Sequence, residues 1–302
     1  MGDETSPRTI FPPFSRLVSF PVPIGFSGKF PSCAGAHTQI SGLRGRTRRS
    51  KMWVKYRAAA AKRRLLRAPN GKETTLMWNN CKKAVTFSYD DGVESDKKLL
   101  EIFNRYGMKA TFNLNSGLLG LPDAWEYKGF RVARLPLDNL RELYRGHEIA
   151  VHGEKHLNPT ELNAQELSRE MGEDKRRLEE LFGTPMHGMA YAFGAYDART
   201  IETLRQCGLR YARTVKATHS FDPQENLLEF NPTCHHNDPQ IFELIDRFLA
   251  SEPDRPQLLY IWGHAYELDA ENDWDRMERI CEKLAGRDDV FYGTNCEVLL
   301  GE

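Results

Sequence analysis

Adjacent carboxylates at Asp90 and Asp91, two histidines four apart at His152 and His156, and a third histidine at His264 are the residues whose types and spacing could do chemistry. The two carboxylates end an apolar run over residues 84–92, Ala-Val-Thr-Phe-Ser-Tyr-Asp-Asp-Gly, which reads as a strand delivering both to its C-terminal tip. Neighbouring carboxylates repel, so a fold that holds both at one point divides their work: one binds a metal while the other handles protons. A solvated Asp-Asp-Gly turn is the plainer alternative. His152-Gly-Glu-Lys-His156 follows a strand-like stretch over 148–151, and His264 follows another over 258–263. Two histidines so spaced can meet one cation if the turn between them is tightly coiled. One carboxylate then makes a two-His, one-Asp set with open positions for water and substrate.

The elements that must position these residues alternate as a βα series from residue 82 onward. Ser95 or Asp96 caps a helix carrying Leu99, Leu100, Ile102 and Phe103 and ending at Gly107. Residues 109–114 read as a strand, followed by a loop, a helix over 137–144 closed by Gly146, and the strand over 148–151. Asn163 with Glu166 makes a capping box for a long amphipathic helix through Phe182, stopped by Gly183. Strands at 189–193 and 210–215 flank a helix capped by Asp197 and ended at Gly208; residues 227–230 are also strand-like. Asp238-Pro239 opens a helix through Leu249, 258–262 is a strand, Asp273 caps a helix ending near Gly286, and 290–292 closes the series. Roughly seven units predict an α/β fold, a distorted (β/α)7 TIM-like barrel, with an open doubly wound sheet as the second choice. The polar residues fall at strand ends, where a barrel builds its site. No GxGxxG follows any strand, which leaves a dinucleotide site without support.

The 302 residues are 40% hydrophobic and 11% aromatic, enough for one large core. Net charge is zero, yet residues 1–72 hold fifteen Lys and Arg against Asp3 and Glu4, leaving a body near −13. Residues 1–75 are expected to be a basic, disordered extension, or upstream sequence read from too early a start, with Met77 a plausible beginning. Residues 76–302 would then be the catalytic domain. A nucleic-acid arm is the alternative for the extension, but no aromatic-interleaved groove supports it, so no nucleic-acid partner is expected. No apolar run reaches the ~20 residues of a membrane helix. Six scattered cysteines and a Pro-interrupted apolar stretch near the start make a cytoplasmic location the expectation.

Taken together, the motifs resemble the polysaccharide deacetylases, the NodB-homology domain of carbohydrate esterase family 4. Ser88-Tyr-Asp-Asp-Gly92 matches the first motif, His152 to His156 the second with Gly153 in its hydroxyl position, and Ile261-Trp-Gly-His264 the late strand ending in histidine. The resemblance covers about residues 82–298 and implies a distorted (β/α)7 barrel that hydrolyses an N-acetyl amide of an amino sugar with one divalent metal. Asp91, His152 and His156 would hold that metal, zinc first, with cobalt, nickel or manganese also suited. Asp90 would be the base and His264 the acid that protonates the leaving amine. In the third motif the chain departs: Ala190-Tyr-Ala-Phe-Gly194 lacks the arginine that orients the catalytic Asp, although the backbone N–H of Phe193 could still complete an oxyanion site. The fourth, Asp- and Trp-rich motif is replaced by Asn231-Pro-Thr-Cys-His-His-Asn237, from which His235 or His236 could face the substrate. Tyr196, Trp262 and Tyr266 are candidate sugar-facing aromatics. The partner expected is an N-acetylated saccharide or small amide. The alternatives are hydrolysis of a non-sugar C–N bond and a barrel that binds saccharide without turnover.

Overall fold

The computed structural model describes residues 78–122 and 124–302, so the expectations for 1–75 lie outside the described residues. In chain order the first half contains β1 (Lys83–Asp90), α1 (Asp96–Tyr106), β2 (Ala110–Leu114), β3 (Ala124–Tyr127), β4 (Phe130–Ala133), α2 (Leu140–Leu143), β5 (Glu148–Val151) and α3 (Ala164–Phe182). The second half contains β6 (Gly188–Ala190), α4 (Ala198–Gln206), β7 (Tyr211–Arg213), β8 (Cys234–His235), α5 (Ile241–Ala250), β9 (Gln257–Gly263), α6 (Ala265–Ala270), α7 (Trp274–Leu284), β10 (Val290–Tyr292) and α8 (Asn295–Leu299).

β1 is buried at all eight positions, as a central strand of a parallel sheet must be, and this explains its unbroken apolar run. The sheet order is β7-β6-β5-β2-β1-β9-β8, every pairing parallel, with β10 added against the start of β1. The two edges are joined by one segment. Phe230 bridges to Arg213 of β7, and Cys234–His235 a few residues on pairs with β9. The result is the distorted (β/α)7 barrel.

Alternation along β1 divides its two faces. Val85, Phe87 and Tyr89 join the large core under the helices, Phe87 and Tyr89 packing on Phe103 of α1. Ala84 instead meets Leu258, Tyr260 and Trp262 of β9 in a second cluster. The remaining positions of that face form a buried polar column. Asn295 at the start of α8 engages Thr86 and Ser88, and Asn113 of β2 donates both to Ser88 and to Asp90.

Most helix signals act as their chemistry requires. Asn163 and Glu166 form a complete capping box on α3, Asp197 and Thr200 form one on α4, and Gly107 and Gly183 end helices in the left-handed conformation. Several boundaries differ from expectation. The helix expected over 137–144 is reduced to α2, because Asn139 sits at φ 60, which a helix cannot continue through. Residues 227–230 form a 3₁₀ turn over Leu227–Glu229 rather than a strand. The loop after β2 contains an antiparallel hairpin, β3 and β4, whose turn places Lys128 and Gly129 at φ 48 and 80.

Candidate active site

Asp90 and Asp91 leave the tip of β1 in different directions because Asp91 takes φ 87 while its N–H stays bonded to the Asn113 carbonyl. Asp90 is 3% exposed. Its Oδ1 accepts from Asn113 at 2.8 Å, and its Oδ2 lies 2.5 Å from a guanidinium nitrogen of Arg213, at the end of β7. From the same Oδ2, His152 Nε2 is 3.9 Å away and His264 Nε2 3.8 Å. Burial alone would raise the Asp90 carboxyl, but Arg213 and the two histidines bring it below its ordinary value.

Asp91 has its own cation. Arg134, just beyond β4, bonds the Asp91 carbonyl and lies 3.0 Å from its Oδ1 and 3.0 Å from Asn115 Oδ1. Burial opposes ionisation of Asp91 too, yet Arg134 and the neighbouring histidines hold its carboxyl at about 2. The His152 ring directs Nδ1 to the Ala190 carbonyl at 2.8 Å; a carbonyl only accepts, so Nδ1 carries a proton and Nε2 is the nitrogen turned toward the two aspartates. His156 Nε2 is 3.8 Å from Asp91 Oδ1, and burial together with His152 pushes this imidazole down to about 4, leaving it neutral. Single donor atoms from Asp91, His152 and His156 all lie within 4.8 Å of one another. A carboxylate held ionised and two imidazole nitrogens meeting at one point are the donor chemistry a divalent cation takes, so the residues fit the expected metal.

The turn carrying the two histidines is fixed from α3. Glu170 accepts the N–H groups of Lys155 and Leu157, and Asp174 those of Ser116 and His152. Gly153 sits at φ 87, and a Cβ there would lie 2.9 Å from Glu170 Oε1. The glycine in the family's hydroxyl position is therefore required by this carboxylate.

His264 follows β9 and sits at the N-terminal cap of α6, where Glu267 accepts its backbone N–H at 3.2 Å and places Oε1 3.3 Å from its Nδ1. The second oxygen of Glu267 is 3.0 Å from His235 Nε2 and 3.3 Å from His236 Nε2. Burial would lower His264, but Glu267, then Asp90 and Asp91, raise it to about 9; His235 and His264 in turn hold Glu267 far below its usual range. His235, His264 and Glu267 also lie close enough to share a cation, but an imidazole held protonated repels one.

The remaining expected residues divide. Tyr266 packs edge-on against Trp125 and Tyr127 of the hairpin, 5.1 Å from the His264 ring, and so flanks the cluster. Phe193, 67% exposed, lies edge-on to His156 at 4.5 Å. His235 stands edge-on to Trp262 at the rim. Tyr196 instead stacks on Tyr191 at 4.7 Å. His236 is corrected: at 0% exposure, stacked on Tyr89 and tied to Glu267, it supports the site from behind and offers no atom to a substrate. The arginine missing from the third motif is also accounted for, because Arg213 reaches Asp90 from β7. Arg213, Arg134 and Glu267 are the residues that sequence reasoning missed.

Residues 78–212 match the family model for polysaccharide deacetylase, which bears out the family read from the motifs and takes in Asp90, Asp91, His152 and His156, stopping one residue short of Arg213. No curated protein matches. Among solved structures the chain is similar to the deacetylase PplD of Streptococcus pyogenes, solved with acetate, at 21% identity over 48% of this chain and 61% of that one, TM-score 0.43. It thus spans under two thirds of that protein's length. It is also similar to the Xyl-CE4 domain of a multidomain xylanase from the hindgut metagenome of Trinervitermes trinervoides, at 17% identity over 72% and 90%, TM-score 0.49. A third is a CE4 family pseudoenzyme from Bacillus anthracis, at 15% identity over 72% and 66%, TM-score 0.45.

Proposed function

We propose that this member of the polysaccharide deacetylase family is a metal-dependent deacetylase that hydrolyses the N-acetyl amide of an amino sugar, with residues 76–302 as its catalytic domain. The observation that carries the reading is the placement of His264 Nε2 3.8 Å from Asp90 Oδ2 beside the Asp91, His152 and His156 donor set, in surroundings that push the carboxyl down and the imidazole up. Two titratable groups whose surroundings push their pKa values apart are an acid and a base.

In this scheme Asp91, His152 and His156 hold the cation, which when bound would polarise the amide carbonyl and make an attacking water more acidic. Asp90 accepts a proton from that water, with Arg213 and Asn113 keeping its two oxygens in place. The backbone N–H of Phe193 is the candidate donor to the developing oxyanion. As the C–N bond breaks, His264 gives its Nε2 proton to the departing nitrogen, and Glu267 steadies the imidazole from its other side. The products are acetate and a free amine. Tyr266 and His235 flank the sugar in this reading; Tyr196 lies further out.

The test is acetate release from a chitin oligomer by wild type and His152→Ala, alongside elemental analysis of both, with non-sugar amides as competing substrates. About one metal lost with His152, together with acetate release, supports the reading. Metal without acetate moves the substrate to other amides, and no metal after reconstitution overturns it.

A further inference from the structure

The catalytic candidates sit at the C-terminal ends of the strands. At the other end of the barrel, three side chains from two separate segments converge around a cavity of about 460 Å³. His187 immediately precedes β6, Cys296 lies in α8, and Glu302 follows α8. One donor atom from each lies within 4.8 Å of the other two.

We propose that His187, Cys296 and Glu302 form a second metal site, for zinc or a similar borderline-soft divalent cation, which ties α8 and the segment after it to the start of β6. Each donor is held by its own scaffold. The His187 carbonyl accepts the Arg210 N–H at 2.7 Å. The Cys296 N–H is bound by Glu148 at 2.9 Å, and α8 opens on a complete capping box between Thr294 and Glu297. Glu302 gives one oxygen, Oε2, to Arg210 at 2.6 Å, and its other oxygen is the one assigned to the metal.

The lining carries both signs of charge, with Arg210 paired to Glu302. Glu148 and Glu297 also line the cavity, while the arginines that line it, Arg141 and Arg145, are engaged elsewhere, with the Leu181 and Glu180 carbonyls and with Glu142. A thiolate, an imidazole and a carboxylate on a tetrahedral ion leave one position for water, an arrangement zinc adopts readily. Burial, then Glu148 and Glu302, push the Cys296 thiol up to about 12 without a metal. Binding would therefore release a proton from the thiol, as metal association with a cysteine does.

The thiolate makes the test independent of the deacetylase reading, because Asp91, His152 and His156 offer only oxygen and nitrogen. Cobalt(II) is titrated into metal-free wild type, His152→Ala, Cys296→Ser and His187→Gln, and the near-ultraviolet thiolate-to-cobalt charge-transfer band is followed. The band is expected in wild type and in His152→Ala, to vanish in Cys296→Ser, and to require several-fold more cobalt in His187→Gln. His187→Gln keeps the thiol, so it tests the site even if Cys296→Ser folds poorly. No band in wild type, or an unchanged band in Cys296→Ser, overturns the proposal whatever the acetate assay shows. Acetate release can likewise fail while the band is present.

Discussion

Arg213, at the tip of β7, meets Asp90, at the tip of β1, across the barrel mouth with β6, β5 and β2 between them in the sheet, one guanidinium nitrogen 2.5 Å from Oδ2. Both side chains are almost fully buried, and the guanidinium also lies over the Trp262 ring at 4.4 Å. A buried ion pair is a poor source of net stability, because desolvating two charges offsets most of their attraction. Its consequence here is orientation: one oxygen of Asp90 is fixed by Arg213, the other by Asn113.

Removing the arginine strands a buried carboxylate. Arg213→Ala is expected to destabilise the fold by about 3–5 kcal/mol, read by chemical denaturation, and to raise the Asp90 carboxyl. Arg213→Lys keeps the charge but loses the planar fork, so it should fold and yet lose kcat with little change in KM. A lysine variant with unchanged kcat would show that charge alone suffices and that the fork orients nothing.

Glu267 governs the alkaline side of the pH profile. His264 acts while protonated, so the rate is expected to fall as pH rises through about 9. Glu267→Gln removes the anion that raises His264, and the alkaline limb should move to lower pH by about one unit or more. Because the folded pKa exceeds the unfolded value, this proton's contribution to stability is fully present below pH ~6.5 and lost as pH rises through about 9. Rate profiles of both proteins over pH 6–10 decide the matter; an unshifted limb in Glu267→Gln separates His264 from the acid role.

Metal retention should depend on what holds the donors as well as on the donors themselves. Asn115 donates to the His152 and Gly153 carbonyls at 2.9 Å each and is itself fully buried. Asn115→Ala is expected to weaken metal binding by about 10–100-fold, the usual cost of losing an outer partner, while Asp91→Asn should cost more. Competition with a chromophoric chelator measures both. Equal affinities in wild type and Asp91→Asn would remove Asp91 from the donor set.

The sequence made β1 and its two carboxylates legible because burial on both faces leaves an unbroken apolar run, and a tip so loaded has few other uses. The helix ends at Gly107 and Gly183 and the capping box at Asn163 were legible for local reasons. Arg213 was not, since its partner is decided by barrel closure, and nothing within a few residues of Tyr211-Ala-Arg213 signals a carboxylate four strands away. Glu267 was within reach: a glutamate three residues after a strand-end histidine is a capping box, and that geometry returns its carboxylate to the histidine. The hairpin was also signalled, by Lys128-Gly129 between Tyr127 and Phe130, a turn that takes positive φ at both positions.

Gly263, the last residue of β9, tests whether the buried His236 matters to the site. A Cβ built there would lie 2.0 Å from His236 Nδ1 and 2.5 Å from its Cε1, contacts no side chain tolerates. His236 has nowhere to retreat, because it stacks on Tyr89, places Nδ1 3.1 Å from the Tyr89 hydroxyl and faces Glu267 with Nε2. Gly263→Ala is therefore expected to destabilise the protein by about 1–3 kcal/mol, the cost of overpacking, and to displace Glu267 from His264. The second effect separates this variant from a merely unstable one: its alkaline pH limb should shift toward that of Glu267→Gln. Gly172→Ala is the control, since that glycine lies within α3 with no atom near its added methyl, and alanine there should stabilise by up to about 1 kcal/mol. If Gly263→Ala melts with Gly172→Ala and keeps the wild-type limb, His236 is free to move and does not buttress Glu267.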